Sequence, residues 1–574
     1  MKIFFCICVS LFSASGCVFA QTTKKNISQL PPAKIEPFKI EPGSSFSASP
    51  ARENQNSVMA KNEIEMSREA VSEDFSDALD IIRNNHIDGD KIPLDDLTKS
   101  SLTAMLRALD PHSNYYDARD YQALLSDEQS EYSGIGVSIA NFTRDGRADI
   151  YVTSTFPDSP AFRAGLRFGD KIVAVGGENM AGKSSLYARG KIRGVKDSIA
   201  KLSIERGASG RIENIEIRRA TVPQPSIPDA YVLRSGIGYI DLTGGFNYTT
   251  ADEFNRALKD LHEQGMTSLV MDLRDNPGGI VEQAVKIAEK FLPAGQTILT
   301  QRGRVEIDNR NWKSFNKNPE NISLVVLVNG GSASASEIVT GALQDSDRAL
   351  IVGEKTFGKG LVQSVLNLPY NAGLTLTTAK YYTPSGRSIQ RDYSQGNLYD
   401  YFRHRVSYNP SPNQLPSKTF TGRNVYGGDG ILPDEIVKNP QITQSQMMLF
   451  DPIFFFAREL ANGRVKGFED YKISSPVQSR RRIKPSDFPV GEEILNSFKN
   501  YLNKEKFVFS DKQFEANRKF IAARLRYDLA TAAFGSVAAN QVMIENDLQV
   551  AKAIDALPRA QNLLIAARRI SQRK

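Results

Sequence analysis

Five apolar residues in a row, Leu324-Val325-Val326-Leu327-Val328, read as a buried strand. The run is short, rich in β-branched side chains, and ends at the breaker Asn329-Gly330-Gly331. Similar short runs recur at 237–242, 269–273 and 349–352, and 373–382 alternates apolar and polar residues as a half-buried strand does. Helical spacing marks other segments. Phe254, Leu258 and Leu261 share one face. Phe75, Leu79 and Ile82 share another, and Leu102, Met105, Leu106 and Leu109 a third, with Asp88-Gly89-Asp90 as a turn between those two. After Pro440 the pattern is of amphipathic helices, such as 492–502, 513–532 and 548–568, divided by a loop at 465–489. Residues 391–426 are loop-like. Residues 21–67, rich in Pro, Ser, Asn and Lys, bury too little apolar surface to offset the entropy of ordering and read as a disordered tether.

Candidate chemistry gathers where the 324–328 strand ends. Ser332-Ala333-Ser334-Ala335-Ser336 leads into Glu337 and a helical pattern, so three serines sit at a strand-to-helix turn. Backbone N–H groups are unpaired there and the helix dipole favours negative charge. That suits the nucleophile of an acyl-transfer enzyme, and it equally suits a plain Ser-rich N-cap. Another strand-like run precedes Glu354-Lys355-Thr356-Phe357-Gly358-Lys359-Gly360. Lys359 lies among Phe357, Leu361 and Val362. Burial disfavours a lysine's charged form, and a neutral lysine can take a proton from a serine. A surface lysine in a glycine loop is the other reading. A third turn, Arg274-Asp275-Asn276-Pro277-Gly278-Gly279, either offers backbone N–H groups to an oxyanion or is only a tight β-to-α connection.

The order and spacing of these segments resemble the C-terminal processing peptidases, also called tail-specific proteases, of serine peptidase family S41. The similarity covers roughly residues 73–437. It rests on N-G-G-S-A-S-A-S-E at 329–337, T-F-G-K-G-L-V-Q at 356–363, D-L-R-D-N-P-G-G at 272–279, L-D-P-H-S at 109–113 and G-I-L-P-D at 430–434. The resemblance implies that Ser334, 25 residues before Lys359, is the nucleophile, that Lys359 is the general base and that Gln363 orients it. It also implies an oxyanion hole from Gly278 or Gly279 together with Ala335. His112 is a tempting base, but Lys359 fills that role and leaves His112 to packing or capping.

Residues 134–219 resemble a PDZ domain, through Tyr132-Ser133-Gly134-Ile135-Gly136-Val137, S-P-A-F-R-A-G-L at 159–166 and G-D-K-I-V at 169–173. Gly134, Ile135, Gly136 and Val137 are the expected carboxylate-binding loop and strand, where a substrate's tail adds to the sheet. Alternatively the glycines only form turns. Residues 178–197 are expected to hold the helix bordering that groove. The implied architecture is a multidomain α/β protein. A helical region occupies 68–130, the PDZ domain 131–220, a crotonase- or ClpP-like catalytic core 221–440 and a helical extension 441–574.

Composition narrows the function. The chain has 574 residues, 40% hydrophobic and 24% charged, with a formal net charge of +7. Charge spread so thinly argues against nucleic-acid binding, and Arg480-Arg481-Arg482 reads as a solvated loop. Lys2, the apolar residues 3–12 and Val18-Phe19-Ala20 read as a secretory signal at 1–20, removed before Gln21. A lipoprotein signal acylated at Cys17, after Ala14-Ser15-Gly16, is the second reading. All three cysteines, Cys6, Cys8 and Cys17, lie in this segment, so cleavage after Ala20 leaves a cysteine-free chain without disulfides or thiolate metal ligands. The four histidines, His86, His112, His262 and His404, form no metal-spaced pair, and no cofactor is expected. The expectation is an exported serine endopeptidase, in the periplasm, secreted or lipid-anchored. Its partners are protein substrates with free, apolar C-termini, and the resemblance leaves room for an adaptor, a homo-oligomer and peripheral membrane association. Two rivals stand beside it: a catalytically inactive PDZ scaffold that only binds tails, and a crotonase-type acyl-thioester enzyme.

Overall fold

The computed structural model describes residues 67–128, 131–234, 236–394, 401–402, 415–474, 477–478 and 481–572. The expected signal at 1–20, and the expected tether at 21–67 apart from Ser67, lie outside them. The described residues divide between Leu102 and Thr103 into two compact units. In the first, helix α1 (Arg68–Asn85) is capped by Ser67, whose hydroxyl accepts from Ala70 N at 3.2 Å. The helical spacing is as expected, yet no residue of α1 is buried and Phe75 is 42% exposed. A one-turn 3-10 helix at Gly89–Lys91 follows, and helix α2 (Leu94–Leu109) begins.

The second unit opens with the region expected to be a PDZ domain. Strands β1 (Val137–Arg144), β2 (Arg147–Thr155), β3 (Lys171–Val175), β4 (Ile199–Glu205) and β5 (Ile212–Arg218) pair in that order, each antiparallel to the next. The helix beside the groove, α3, lies inside the expected 178–197 segment, at Ser185–Ile192. Glu178 and Asn179 instead fold back on β3, across Gly176 and Gly177, which both hold positive φ. Left-handed glycines close a tight hairpin at little cost, and Ser184, accepting from Tyr187 N, starts the helix only afterwards.

The catalytic region is a six-stranded sheet: β6 (Asp229–Arg234), β7 (Ile237–Asp241), β8 (Ser268–Asp272), β9 (Ser323–Val328), β10 (Leu350–Gly353) and β11 (Glu435–Ile436), in spatial order β6-β7-β8-β9-β10-β11. Only β6 runs antiparallel to its neighbour. Helices α4 (Thr250–Glu263), α5 (Val281–Glu289) and α6 (Ala335–Asp345) supply crossovers. Their residues Phe254, Ile287 and Ile338 pack on Leu324, Val326 and Val328, one face of β9. Val325 and Leu327, the alternate face, pack on Val550, Ala553 and Leu557 of the last helix. A parallel strand covered on both sides reads as a continuous apolar run, which is why 324–328 is unbroken. A second sheet flanks the core and carries Leu361–Asn367 paired with Gly373–Tyr382.

The extension holds helices α7 (Gln444–Ala461), α8 (Glu492–Lys504), α9 (Asp511–Phe534), α10 (Ser536–Ile544) and α11 (Leu548–Ser571). α7 and α10 fall within the expected helical extension, though not among the helices placed there by residue. Phe454 of α7 stacks on Phe142 of the PDZ region with centroids 3.6 Å apart, and Arg458 Nε donates to Gly169 O at 2.7 Å. The described arginines of the triple run lie in a loop, as expected, Arg482 exposed and Arg481 half-buried, and both are also tied down. Arg481 pairs with Asp487 at 2.9 Å and lies over the Phe534 ring, while Arg482 donates to Leu233 O at 3.1 Å.

Candidate active site

Strand β9 ends at Val328 and the chain turns sharply before α6. Asn329, Ser332 and Ser336 spend their side chains binding this turn to the parallel one after β8. Asn329 exchanges two 2.9 Å hydrogen bonds with Asp275, Ser332 Oγ donates to Leu273 O at 2.7 Å, and Ser336 Oγ donates to Asn276 O at 2.9 Å. Ser334, between them, has φ 55° and ψ −114°. A non-glycine residue held there costs about 1–3 kcal/mol and persists only where the surroundings impose it. Here Ala333 N donates to Asn276 O at 3.0 Å just before it, and α6, every residue of it buried, begins just after.

Glu337 joins this turn to the lysine loop. Its Oε2 accepts from Ser334 N at 2.9 Å and Lys359 N at 2.8 Å, and its Oε1 from Gly358 N at 2.7 Å and Thr356 Oγ1 at 2.5 Å. Burial pushes the Glu337 carboxyl up, and these four donors pull it back. The Tyr381 hydroxyl lies 2.7 Å from Lys359 O and 3.1 Å from Ser334 O, a second bridge between the two loops. Lys359 itself is half-buried, and desolvation pulls its ammonium down to about 8 against the opposing pull of Glu337 and Asp110. Among the described residues, no hydrogen bond joins Ser334 Oγ to Lys359 Nζ. The structure thus unites the two loops through backbone and carboxylate.

Gln363 sits at a bulge where Leu361–Asn367 pairs with Gly373–Tyr382. Its Nε2 donates to Thr377 Oγ1 at 3.1 Å, and among the described residues it makes no hydrogen bond to Lys359. Gly278 packs on the serine turn: a Cβ on it would stand 2.7 Å from Ser334 Cβ and 2.9 Å from Ala335 N. Its own N–H donates to Asn276 Oδ1 at 2.9 Å. Gly279 is equally tight, with a Cβ meeting Phe246 O at 2.0 Å. No hydrogen bond among the described residues engages Gly279 N–H or Ala335 N–H. His112 is half-buried, 2.8 Å from the Tyr401 hydroxyl, and held down to about 3 by desolvation and by the Lys359 charge. Among the described residues no cluster of His, Cys, Asp or Glu is placed to hold a metal, and no helix is long and apolar enough to cross a membrane.

The PDZ groove is a cavity of about 220 Å³ between β1 and α3, with Ile135, Gly136, Val137 and Ile139 on one side and Leu186 and Ile192 on the other. Gly136 takes φ 73° and its carbonyl accepts from Phe156 N and Ser159 Oγ. Gly134 ends the strand Glu131–Gly134, paired to Ala220, outside the groove lining. The Ile135 side chain turns into the domain core. Arg193, at the end of α3, lies 4.7 Å from the Tyr132 ring centroid.

The sequence reading missed Glu337 and Tyr381. Glu337 had a signal: Ser334 and Glu337 have the S-x-x-E spacing of a capping box, in which the glutamate reaches the cap's backbone. Tyr381 carried none, being one aromatic in an alternating strand.

Residues 236–397 match the family model of peptidase family S41, and residues 124–205 match the PDZ domain. The carboxy-terminal-processing protease of Bartonella bacilliformis is 36% identical over 322 residues, 55% of this chain and 72% of that relative. The carboxy-terminal processing protease CtpB of Bacillus subtilis is 31% identical over 337 residues, 58% of this chain and 68% of that relative. Among solved structures, a photosystem II D1 C-terminal processing protease aligns at 28% identity with a TM-score of 0.32, over 60% of this chain and 83% of that one. A PDZ domain set before an S41 catalytic domain defines a serine-type peptidase with a built-in peptide-binding module. The chain belongs to the carboxy-terminal-processing proteases of peptidase family S41.

Proposed function

We propose that this protein is an exported endopeptidase that captures substrate proteins by their C-terminal tail in the PDZ groove and cleaves them with Ser334 as nucleophile and Lys359 as base. The observation that carries the reading is the shared Glu337 carboxylate. It fixes the backbone of Ser334 and Lys359 at once, beside a lysine whose burial brings it down to about 8. Neutral Lys359 takes the Ser334 proton as Oγ attacks the scissile carbonyl carbon. The oxyanion that forms is met by backbone N–H groups. Gly279 and Ala335 suit this better than Gly278, whose N–H already serves Asn276. Collapse of the adduct breaks the C–N bond, and Lys359 returns the proton to the leaving amine. Water then releases the acyl group by the same route. Catalytic hydrogen bonds often tighten only with substrate bound, and here Lys359 Nζ closes on Ser334 Oγ while Gln363 exchanges Thr377 for the lysine.

In the groove, a free carboxylate meets the N–H groups of the Gly136 loop and an apolar last side chain lies among Val137, Leu186 and Ile192. Charge-assisted hydrogen bonds of this kind are worth roughly 1.5–3 kcal/mol each. Peptides ending in a free apolar residue are therefore cut at least about tenfold better than their C-amidated twins. Ser334→Ala abolishes cleavage with folding intact, and Ser332→Ala and Ser336→Ala keep substantial turnover. A fully active Ser334→Ala sinks the nucleophile assignment, and equal cleavage of acid and amide sinks tail recognition while leaving the dyad standing. Export is read from intact mass of protein from its own host: a mature N-terminus at Gln21 supports simple cleavage, a diacylglycerol-modified Cys17 supports the lipoprotein reading, and a retained Met1 overturns both.

A further inference from the structure

The C-terminal extension reaches the back of the oxyanion turn. Arg274 is the first residue of the turn that ends at Gly278 and Gly279, and its side chain is 9% exposed. All three of its guanidinium nitrogens donate hydrogen bonds. Nε and Nη2 donate to Asp272, the last residue of β8, with Nη2 at 2.6 Å from Oδ2, which also accepts from the Tyr239 hydroxyl. Nη1 donates to Asp547 Oδ2 at 2.6 Å and Gln549 Oε1 at 2.9 Å. These last two partners come from the start of α11, more than 270 residues away in the chain.

Both partners are themselves fixed. Asp547 Oδ1 caps α11, accepting from Gln549 N and Val550 N. Gln549, fully buried, donates through Nε2 to Val437 O at 2.7 Å, and Val437 N donates to Gly353 O at the end of β10. A buried guanidinium that loses an acceptor is left with an uncompensated charge and shifts to find another. Arg274 has little room to do so alone. Asp275 is bonded to Asn329 and Asn276 to Ala333, Ser336 and Gly278, so any displacement passes to both the oxyanion turn and the serine turn.

We propose that Asp547 and Gln549 are positioning residues of the active site: through Arg274 they hold the 274–279 turn where its backbone N–H groups meet the oxyanion. The proposal rests on the reading of Ser334 and this turn as catalytic. Neither residue touches substrate. Oxyanion donors act on the transition state and not on the bound peptide, so their misplacement appears in kcat and leaves KM alone.

The test is the full-length Asp547→Ser/Gln549→Met double variant. Serine keeps the N-cap of α11 but is too short to reach Arg274, and methionine keeps volume while losing both hydrogen bonds. Three quantities are read on a short apolar-ended peptide and a peptide aldehyde that adds to the serine: kcat, KM and the aldehyde inhibition constant, with melting temperature as a folding control. Removing an oxyanion donor outright costs about 10²–10³ in kcat, so displacement is expected to lower kcat by about tenfold or more. KM should stay within about twofold and the aldehyde should weaken in step with kcat. Wild-type kcat and aldehyde affinity with only a lower melting temperature overturn the proposal, as does a rise in KM at constant kcat. If the double variant does not fold, the two single variants are judged by the same criteria, and damage confined to folding in both also overturns it. Failure of the underlying reading looks different: there, Ser334→Ala cleaves like the wild type in the same assay.

Discussion

Glu337 accepts four hydrogen bonds from two segments and has no exposed surface. Its negative charge also raises the proton affinity of Lys359, which burial lowers. The sign of the pH dependence follows. In the proposed mechanism the base is neutral Lys359, so kcat/KM should fall about tenfold per unit below about pH 8 and level above it. Glu337→Gln removes the charge that holds the proton on Lys359, so the acidic limb moves to lower pH. The same change turns one acceptor oxygen into a donor facing backbone N–H groups, at a cost of about 1–3 kcal/mol in stability. A pH series of kcat/KM on both enzymes, with a denaturant titration, checks both effects; an unmoved limb would separate Glu337 from the lysine's ionisation. At this scale the meeting of the Ser334 and Lys359 loops was legible because their motifs are long and ordered. Glu337 was not, since a glutamate three residues into a helix serves the same capping geometry in countless proteins, and its second set of partners lies about twenty residues on.

Among the elements, those buried on both sides or strictly alternating were read most closely. Gly373–Tyr382 matches its expected range residue for residue, and Ser323–Val328 begins one residue early. Helix α7 lies within the expected helical extension but was not placed by residue, for physical reasons. Pro452 stands in its interior, which argues against a helix, and Phe454-Phe455-Phe456 blurs its 3.6-residue period. The rings divide two ways, Phe454 and Phe455 toward Phe142 and Tyr151 of the PDZ region and Phe456 toward α8. Phe454 stacks on Phe142 of the PDZ region, and Phe456 packs against Phe498 of α8. Phe454→Ala should cost about 3–5 kcal/mol, because a 1%-exposed ring wedged between two rigid bodies leaves a cavity neither can fill. Urea unfolding measures it, and a loss under about 1 kcal/mol would mean the PDZ region and α7 repack freely.

For the molecule as a whole, the extension 441–574 was legible as helices but not as part of the core. Amphipathic spacing shows that a helix has a covered face and says nothing about which surface covers it. Here α11 supplies the second layer of the catalytic sheet, with Ser323 Oγ donating to Leu557 O. A chain ending at residue 440 therefore exposes Tyr239, Val270, Val325, Leu327 and Val352 to water. It should aggregate or melt without cooperativity rather than serve as a minimal protease, and a soluble, active truncation would refute this two-layer account of stability. Thermal unfolding and gel filtration of the truncated chain decide it.

The placement of α11 also sets a clock. Ribosomes deliver a chain from its N-terminus onward, and here α11 is the helix that covers the sheet and reaches Arg274 at the start of the 274–279 turn. A nascent chain carries the serine and the lysine long before it carries what supports them. A fold built in this order completes the second layer of its catalytic sheet only once residues 548–571 have been delivered.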